Sequence, residues 1–395
     1  MSALSQVAGV TAMNLRAVPH RAGASAVAVL GIGGVVLIIV AVLSVAQGFR
    51  RTLELAGSDR VAIVLRGNST AEMESLFGEE QVQIIEGTPG IAKGAAGPIV
   101  SAELFTSVDQ PKRSNGTPAN APLRGIEPDG ALTREHFQII SGRMFKTGRY
   151  EVIVGRQAAR TLRGLDVGST VRWGSLDWQV VGEFSDGGSV AESEIWTDAR
   201  VLQGAYSRGD SFQTVRALLP TAASFAAFKH QLMQDPRLDV SVYTERQFYA
   251  QQARTLAVVV RGAGTVLALL MGVGAVFGAL NTMYSAVAAR TTEIATLRAL
   301  GFGASAVVVS VITEALLLAF LGGALGAAAA YLAFDGFETS TLNYASFSQV
   351  SFAFAVTPAL IAGGIAYALL LGFVGGIFPA IHAARLPIIE GLREG

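Results

Sequence analysis

Cysteine is absent from this sequence of 395 residues, which excludes disulfide bonds and thiolate metal sites. Histidine is scarce, and none of the four, at positions 20, 136, 230 and 382, has a partner at metal-ligand spacing. Lysine also occurs only four times, never inside the Gly-Lys-Ser/Thr loop that cradles nucleotide phosphates, so we expect no ATP hydrolysis by this chain. A net charge of zero gives no indication of a nucleic-acid partner.

Charged residues make up only 15% of the sequence, against about 25% in soluble domains. Residues 22–49, 262–289 and 352–381 contain no charge, and residues 306–334 contain a single one, Glu314. Each run exceeds the roughly 20 residues that cross a bilayer core, so we predict four transmembrane helices. The first run is longer than the apolar part of a signal peptide, which favours a retained anchor and leaves cleavage as the alternative.

Arginines near the ends of these runs predict their orientation. They occur before the first run, in the loop after the second run and in the C-terminal tail, whereas residues 335–351 contain no lysine or arginine. These arginines are Arg16, Arg21, Arg290, Arg298, Arg385 and Arg393. Because positive residues are retained in the cytoplasm, we predict that both termini and the loop after the second run are cytoplasmic.

The predicted fold is an α-helical membrane protein with four transmembrane helices and a large mixed α/β extracytoplasmic domain between helices 1 and 2. In that domain, “YEVIVG” at 150–155 is typical of a strand, Gly174 and Ser175 can turn a hairpin, and residues 220–236 favour an amphipathic helix. We find no catalytic constellation there, and we predict no enzymatic role.

The predicted layout follows from these runs and flanks. It comprises an N-terminal cytoplasmic amphipathic helix (1–21), a first transmembrane helix (22–48), the extracytoplasmic domain (49–254), a second transmembrane helix (255–286), a short cytoplasmic helix (287–303), a third transmembrane helix (304–334), a short extracytoplasmic loop (335–351), a fourth transmembrane helix (352–381) and a cytoplasmic tail (382–395).

The stretch “RTTEIATLRALGFGAS”, residues 290–305, predicts a short charged helix between the second and third apolar runs. One of its two leading threonines can cap the start, and Glu293 lies in the first turn, where the helix dipole favours an anion. Arg298 lies in the last turn, where a cation is favoured, and Gly301 can end the helix. Along one side recur the apolar residues Ile294, Leu297 and Leu300. Two interpretations stay open, an interfacial helix in lipid and a docking helix for a cytoplasmic partner.

Residues 290–326, “RTTEIATLRALGFGASAVVVSVITEALLLAFLGGALG”, resemble the signature of FtsX-like ABC transporter permeases. The tail “FPAIHAARLPIIEGLRE” resembles the end of that family, and “AMNLRAVPHRA” resembles its cytoplasmic lead-in helix. Residues 142–184 are similar to the second half of a MacB-type extracytoplasmic domain. The layout of one span, a large outer domain and three further spans covers the whole chain.

The resemblance implies that residues 291–300 form a coupling helix seated in a groove of a cytoplasmic ABC ATPase subunit. That partner would bind ATP and Mg, and no cofactor is expected in this chain. The residues assigned to coupling are Arg290, Glu293, Ile294, Leu297, Arg298, Leu300 and Gly301. The alternative for Glu293 and Arg298 is that they pair with each other or with lipid headgroups.

The resemblance further implies a multi-pass protein of the bacterial inner membrane that forms a homodimer with a second permease copy. A periplasmic adaptor or an outer-membrane partner is compatible with it. The leading hypothesis is a permease that uses ATP hydrolysis by its partner to move the outer domain and to export or extract a lipid, lipoprotein, peptide or drug. The alternatives are a mechanical regulator of an extracytoplasmic cell-wall hydrolase, and a membrane receptor without an ATPase.

Two polar and small-residue features predict contacts within the membrane. A bare charge at the depth of Glu314 costs about 2.5–3.5 kcal/mol, so we expect this carboxylate to face protein or water, with an interfacial position as the alternative. Glycines at Gly-xxx-Gly spacing predict where the helices pack. These pairs are Gly274 and Gly278, Gly322 and Gly326, and Gly372 and Gly376.

Overall fold

The computed structural model of the protein describes residues 6–7, 11, 22–55, 57–95, 97–343 and 348–389. Nearly all of the amphipathic helix predicted over 1–21, and the end of the predicted tail, 390–395, lie outside these ranges. The chain separates into two compact units. The helical unit comprises Met1–Gln47, Val258–Phe337 and Phe354–Gly395, and the sheet unit comprises Gly48–Ala257 and Glu338–Ala353.

The described residues form nine α-helices and twelve β-strands. The helices are α1 (Ala22–Leu55), α2 (Glu79–Glu86), α3 (Arg156–Thr161), α4 (Ala199–Ala205), α5 (Ser224–Gln234), α6 (Glu245–Ala288), α7 (Thr291–Ala299), α8 (Ala304–Phe334) and α9 (Pro358–Arg385). The strands are β1 (Val61–Arg66), β2 (Val100–Pro111), β3 (Pro118–Ile126), β4 (Phe137–Gly142), β5 (Glu151–Gly155), β6 (Thr170–Trp173), β7 (Leu176–Asp186), β8 (Ile195–Asp198), β9 (Thr214–Leu218), β10 (Val240–Thr244), β11 (Glu338–Asn343) and β12 (Ser348–Ala353).

Helices α1, α6, α8 and α9 are long and apolar enough to cross a membrane. Helix α8 coincides with the predicted 304–334, whereas α6 begins before the predicted start at 255. The prediction that the fourth helix begins at 352 is wrong, because α9 begins at Pro358. The hydroxyl of Thr357 accepts the N–H of Leu360, and proline suits the first helical position because its missing N–H would have no partner there.

Glycines bring the long helices of the helical unit into close contact. A Cβ built at Gly326 of α8 would lie 2.2 Å from the carbonyl oxygen of Gly33 in α1, so only glycine fits this crossing. A Cβ at Gly322 would similarly lie 2.7 Å from the Val29 carbonyl, and one at Gly372 would lie 2.4 Å from the Cβ of Ala319.

The predicted pair of Gly274 and Gly278 has no such contact with a neighbouring helix within the described ranges. Among the described residues, no atom lies within 4 Å of a Cβ built at Gly274 or Gly278. These two glycines of α6 therefore pack against nothing in the described part of the chain, and both are exposed.

The sheet unit contains a ten-stranded mixed sheet in the order β10-β1-β9-β2-β3-β8-β5-β7-β4, with β6 paired to β7. Only β3 with β8 and β5 with β7 run parallel. The predicted hairpin is confirmed, since Trp173 of β6 pairs with Leu176 of β7 and Gly174 has a φ of 60° in the turn between them. The mixed α/β character predicted for this part of the chain is likewise observed.

The two faces of this sheet differ in chemistry. One face carries apolar residues such as Val215, Leu104 and Leu123, which pack against helices α2, α5, α3 and α4. Side chains alternate along a strand, and the pairings of Ser101 with Arg216 and of Phe105 with Arg124 place these two arginines together on the other face.

The segment predicted as a short loop at 335–351 contains the hairpin β11–β12, which belongs to the sheet unit. The backbone N–H of Ser351 donates to the hydroxyl of Ser193 at 3.0 Å, and the rings of Phe352 and Phe49 meet edge to face at 5.6 Å. Strand β12 continues to Ala353, and its residues Val350, Ser351 and Phe352 are all buried, so the chain is extended at 352–353, where the sequence predicted helix.

Candidate functional site

Helix α7 is shorter than the predicted segment and has no side-chain cap at its start. The expectation of a threonine cap is wrong, because the Thr291 hydroxyl donates back to the carbonyl of Ala288 at the end of α6. The end is as predicted. Gly301 has a φ of 93°, its N–H bonds the Arg298 carbonyl, and the Phe302 N–H bonds the Leu297 carbonyl, which together form a Schellman motif.

The apolar side of α7 is divided between interior and surface. Ile294 is buried in a cluster with residues of α6, α8 and α9, and its neighbour Ala295 is also buried. Leu297 is half-buried, and Leu300 is 72% exposed. Of the three apolar residues along this side, Ile294 and Leu297 are therefore covered to a large extent by the helical unit itself. Leu300 stays exposed.

Arg290 connects the start of α7 to the interior of α8. Its guanidinium donates to the carboxylate of Glu314 at 3.1 Å and to that of Glu293 at 3.4 Å. The side chains of Arg290 and Glu314 are each only 5% exposed, whereas that of Glu293 is 59% exposed. Removing one partner of a buried ion pair leaves a buried charge without compensation, so this pair holds α7 firmly against α8.

Arg298 connects the end of α7 to the end of α9. Its guanidinium donates to the carbonyl oxygens of Ala384 at 2.7 Å and Leu386 at 3.0 Å. These carbonyls lack helical partners, and a cation at a helix C-terminus contributes about 0.3–1 kcal/mol. Arg298 thus pairs with α9 rather than with Glu293, which bonds Arg290 instead.

A narrow cleft follows the inner side of α7, enclosing about 400 Å³ including its open mouth. It is lined by Met283, Ala286, Val287, Arg290, Glu293, Ile294, Leu297, Val307, Val311 and Glu314. The ion pair between Arg290 and Glu314 is therefore surrounded by apolar side chains. Within the described ranges, no group of three or more His, Asp or Glu residues could hold a metal ion.

The outer side of α7 forms one exposed stripe. Thr292, Thr296 and Leu300 recur every fourth residue, and Glu293 and Ala299 lie beside them. The sequence interpretation considered Thr292 only as a candidate cap and did not name Thr296, because it followed the apolar residues. Their position on the side of the helix opposite Ile294 was the signal that could have identified them. We refer to Thr292, Glu293, Thr296, Ala299 and Leu300 as the outer stripe.

The described residues contain four helices long and apolar enough to cross a membrane, a short charged helix bonded to two of them and a large sheet unit, which together are typical of a membrane protein with a folded domain outside the bilayer. Profiles of two protein families match the chain. The MacB-like periplasmic core domain matches residues 25–235, and the FtsX-like permease C-terminal domain matches residues 265–388. The chain therefore belongs to the family of ABC transporter permeases of the FtsX/MacB type, and the resemblance noted for residues 290–326 is confirmed.

Two similar proteins match more than nine-tenths of the chain, and a third matches less than half of it. The ABC transporter permease YknZ of Bacillus subtilis is 24% identical over 92% of both chains. The permease MJ1507 of Methanocaldococcus jannaschii is 22% identical over 93% of this chain and 94% of its own. The pyoverdine export ATP-binding/permease protein PvdT of Pseudomonas savastanoi is 32% identical over 42% of this chain and 23% of its own length.

Solved structures resemble part of the chain. The extracellular domain of YknZ covers 47% of this chain and all of its own, with 18% identity and a TM-score of 0.35. The periplasmic region of MacB from Actinobacillus actinomycetemcomitans covers 48% of this chain and 91% of its own, with 12% identity and a TM-score of 0.37.

Proposed function

We propose that this chain is the non-catalytic permease subunit of an ABC complex, and that helix α7 receives movement from a separate cytoplasmic ATPase. The observation that carries the proposal is the division of α7 into a fixed side and an exposed stripe. Arg290 and Arg298 tie the helix to α8 and α9, while the outer stripe is exposed. A docking helix needs both properties. It must be accessible to its partner, and it must move together with the helices to which it is bonded, because otherwise a push on it would not reach them.

The proposed orientation places both termini and α7 in the cytoplasm and the sheet unit outside the inner membrane of a bacterium. The arginines flanking the apolar runs support it, because positive residues are retained on the cytoplasmic side. Two permease copies would assemble with two ATPase subunits, which bind ATP and Mg. A homodimer suits a chain whose described residues contain four helices long and apolar enough to cross a membrane. An adaptor or an outer-membrane partner is compatible with a sheet unit on the outer side.

In the proposed mechanism, ATP-driven closure of the partner pushes on the outer stripe. The ion pair with Glu314 and the bonds from Arg298 to the α9 carbonyls transfer that push to α8 and α9 together. The helices then move the sheet unit, which acts on a substrate outside the membrane. Some relatives are named for pyoverdine or macrolide export. For this chain we propose export or extraction of a lipid, lipoprotein, peptide or drug.

The test uses single cysteines, because the sequence contains none of its own. Thr296→Cys and Leu300→Cys each place one thiol on the outer stripe, and a thiol-directed photocrosslinker is activated in native membranes. We expect both variants to give an adduct with a protein that carries a phosphate loop, identified by mass spectrometry.

The matched control is Ala295→Cys, one position away on the buried side of the same helix, where Ala295 is 2% exposed. It should give no such adduct. If neither outer-stripe cysteine captures an ATPase in membranes where the chain is folded and dimeric, the proposed docking is wrong and a receptor without an ATPase is favoured.

A further inference from the structure

The sheet unit contains a buried network of charged side chains that the proposed docking does not use. Its members are the arginines Arg124, Arg134 and Arg216 and the glutamates Glu72, Glu103, Glu194 and Glu245. None of the seven residues is more than 8% exposed. We refer to these seven residues as the charge network.

Arg124 is the centre of the charge network. Its guanidinium bonds Glu72 at 2.8 Å, Glu103 at 2.9 Å and Glu194 at 2.8 Å. Arg134 also bonds Glu103. Burial alone would raise the pKa of Glu103, but the guanidinium groups of Arg134 and Arg124 outweigh it and lower that pKa to about 2. Glu103 is therefore ionised at neutral pH.

The charge network reaches the segments through which the chain enters and leaves the sheet unit. Arg216 of β9 bonds Glu245, the first residue of α6. The other oxygen of the Glu245 carboxylate accepts the N–H of Ser58, in the connection between α1 and β1, at 3.1 Å. Ser193, which precedes Glu194 in the chain, accepts the N–H of Ser351 from the hairpin β11–β12. Each connection is thus bonded to a member of the network or to its neighbour.

Helix α6 is continuous from Glu245 to Ala288, and its residues from Val258 onward belong to the helical unit. The first part of α6, up to Ala257, belongs to the sheet unit, and the ion pair of Glu245 is one of the contacts that fix this part to the sheet. Stability alone does not account for a charged contact there, because well-packed apolar residues of similar volume often stabilise a protein as well as a buried ion pair does. An ion pair also fixes the relative position of the two elements that it joins, because its hydrogen bonds form in one geometry. Two apolar surfaces can shift along each other and stay in contact.

We propose that Arg216 and Glu245 are positioning residues that lock the first turn of α6 to strand β9, so that the sheet unit follows α6 as one rigid body. This inference rests on the proposed function, in which the helices drive the sheet unit. The rest of the charge network keeps Arg216 in place, because Glu103 lies between Arg216 and Arg134. A continuous set of ionic contacts thereby joins Glu245 of α6, through Arg216, to Glu103 in the central part of the sheet.

The test is a double variant, Arg216→Met with Glu245→Leu, in the full complex with its ATPase. Apolar replacement of both partners retains the fold, and removes the direction of the contact. Spin labels on Asn115→Cys in the sheet unit and Tyr331→Cys in α8 report the distance between the units with and without nucleotide. Both labelled positions are exposed. We expect wild-type ATPase association and ATP turnover but loss of the nucleotide-dependent change in distance.

The matched control is the exposed pair formed by Arg246 and Asp59 at 3.0 Å, which joins the same turn of α6 to the same connection. Replacing both residues with alanine should leave the change in distance intact. A second variant, Glu245→Asp, keeps the charge and the fold but shortens the side chain, and should broaden the distance distribution.

Three outcomes decide the matter. Loss of the distance change in the double variant, or broadening in Glu245→Asp should the double variant fail to fold, supports the lock. A wild-type distance change in a folded double variant, or in Glu245→Asp when the double variant does not fold, overturns it and leaves the proposed function standing. Absence of any nucleotide-dependent change in the unmodified complex overturns the proposed function, and this inference with it.

Discussion

At the scale of single residues, Arg290 has the most consequential contacts in the helical unit. It bonds a buried glutamate of α8 and an exposed glutamate of α7, so one guanidinium joins the surface helix to the interior. The carboxylate of Glu314 therefore faces protein rather than lipid. Its charge is matched inside the protein, which explains how an apolar helix tolerates it.

Replacing Glu314 with Gln should lower coupled ATP turnover while membrane insertion and ATPase association persist. The amide oxygen can still accept a hydrogen bond from Arg290, but the charge is lost, which we expect to cost about 1.5–3 kcal/mol of stability. The measurement is ATP turnover of the reconstituted complex. Thr313→Val changes the neighbouring position, whose hydroxyl bonds only within α8, and should leave turnover unchanged. Wild-type turnover in Glu314→Gln would show that this pair has no part in coupling.

At the scale of elements, a helix side lined with glycines allows close packing only where another helix lies against that side. The sequence predicted three equivalent Gly-xxx-Gly pairs, but the structure separates them. Gly322 and Gly326 lie against the backbone of α1, whereas a Cβ built at Gly274 or Gly278 would meet no neighbouring helix within 4 Å in the described part of the chain. Spacing alone does not distinguish these cases, because it says which residues share a face and not what that face meets.

Gly326→Val should therefore lower the melting temperature of the purified protein in detergent. Its side chain would collide with the Gly33 carbonyl of α1, and overpacking of this kind costs about 1–3 kcal/mol. The matched substitution Gly278→Val places the same side chain on an open face and should leave the melting temperature unchanged. Equal losses in the two variants would mean that the α1–α8 crossing is not the cause.

At the scale of the whole molecule, stability should depend on pH in part through Glu127, a carboxyl group of the sheet unit. Burial raises the pKa of Glu127 from its usual 4.5 to about 7, although the N–H of Ala102 donates to it and opposes the shift. The folded protein then binds this proton more tightly than the unfolded chain. The contribution of Glu127 is complete below about pH 4.5 and is lost as the pH rises through about 7.

We expect Glu127→Gln to remove this component. The wild-type protein should lose melting temperature between about pH 5 and pH 8 relative to the variant, which keeps an acceptor for Ala102 but cannot ionise. Glu103, with a pKa of about 2, stays ionised across this window and does not obscure the effect. Glu80→Gln, at an exposed carboxylate, is the control. Parallel pH profiles for the wild type and Glu127→Gln would contradict the assignment.

The sequence by itself determined the four apolar helices, the mixed α/β domain and the glycine end of α7. These features follow from local patterns, because lipid-spanning length, side-chain periodicity and a positive φ at Gly301 each depend on residues adjacent in the chain. Only the tertiary structure decided which charges meet. Arg290 and Glu314 are 24 positions apart, and Arg298 and Ala384 are 86 apart. The residues adjacent in the sequence do not specify such partners. A charged side chain that is buried by the fold needs an opposite charge or a hydrogen-bond acceptor beside it, and the fold decides which residue that is.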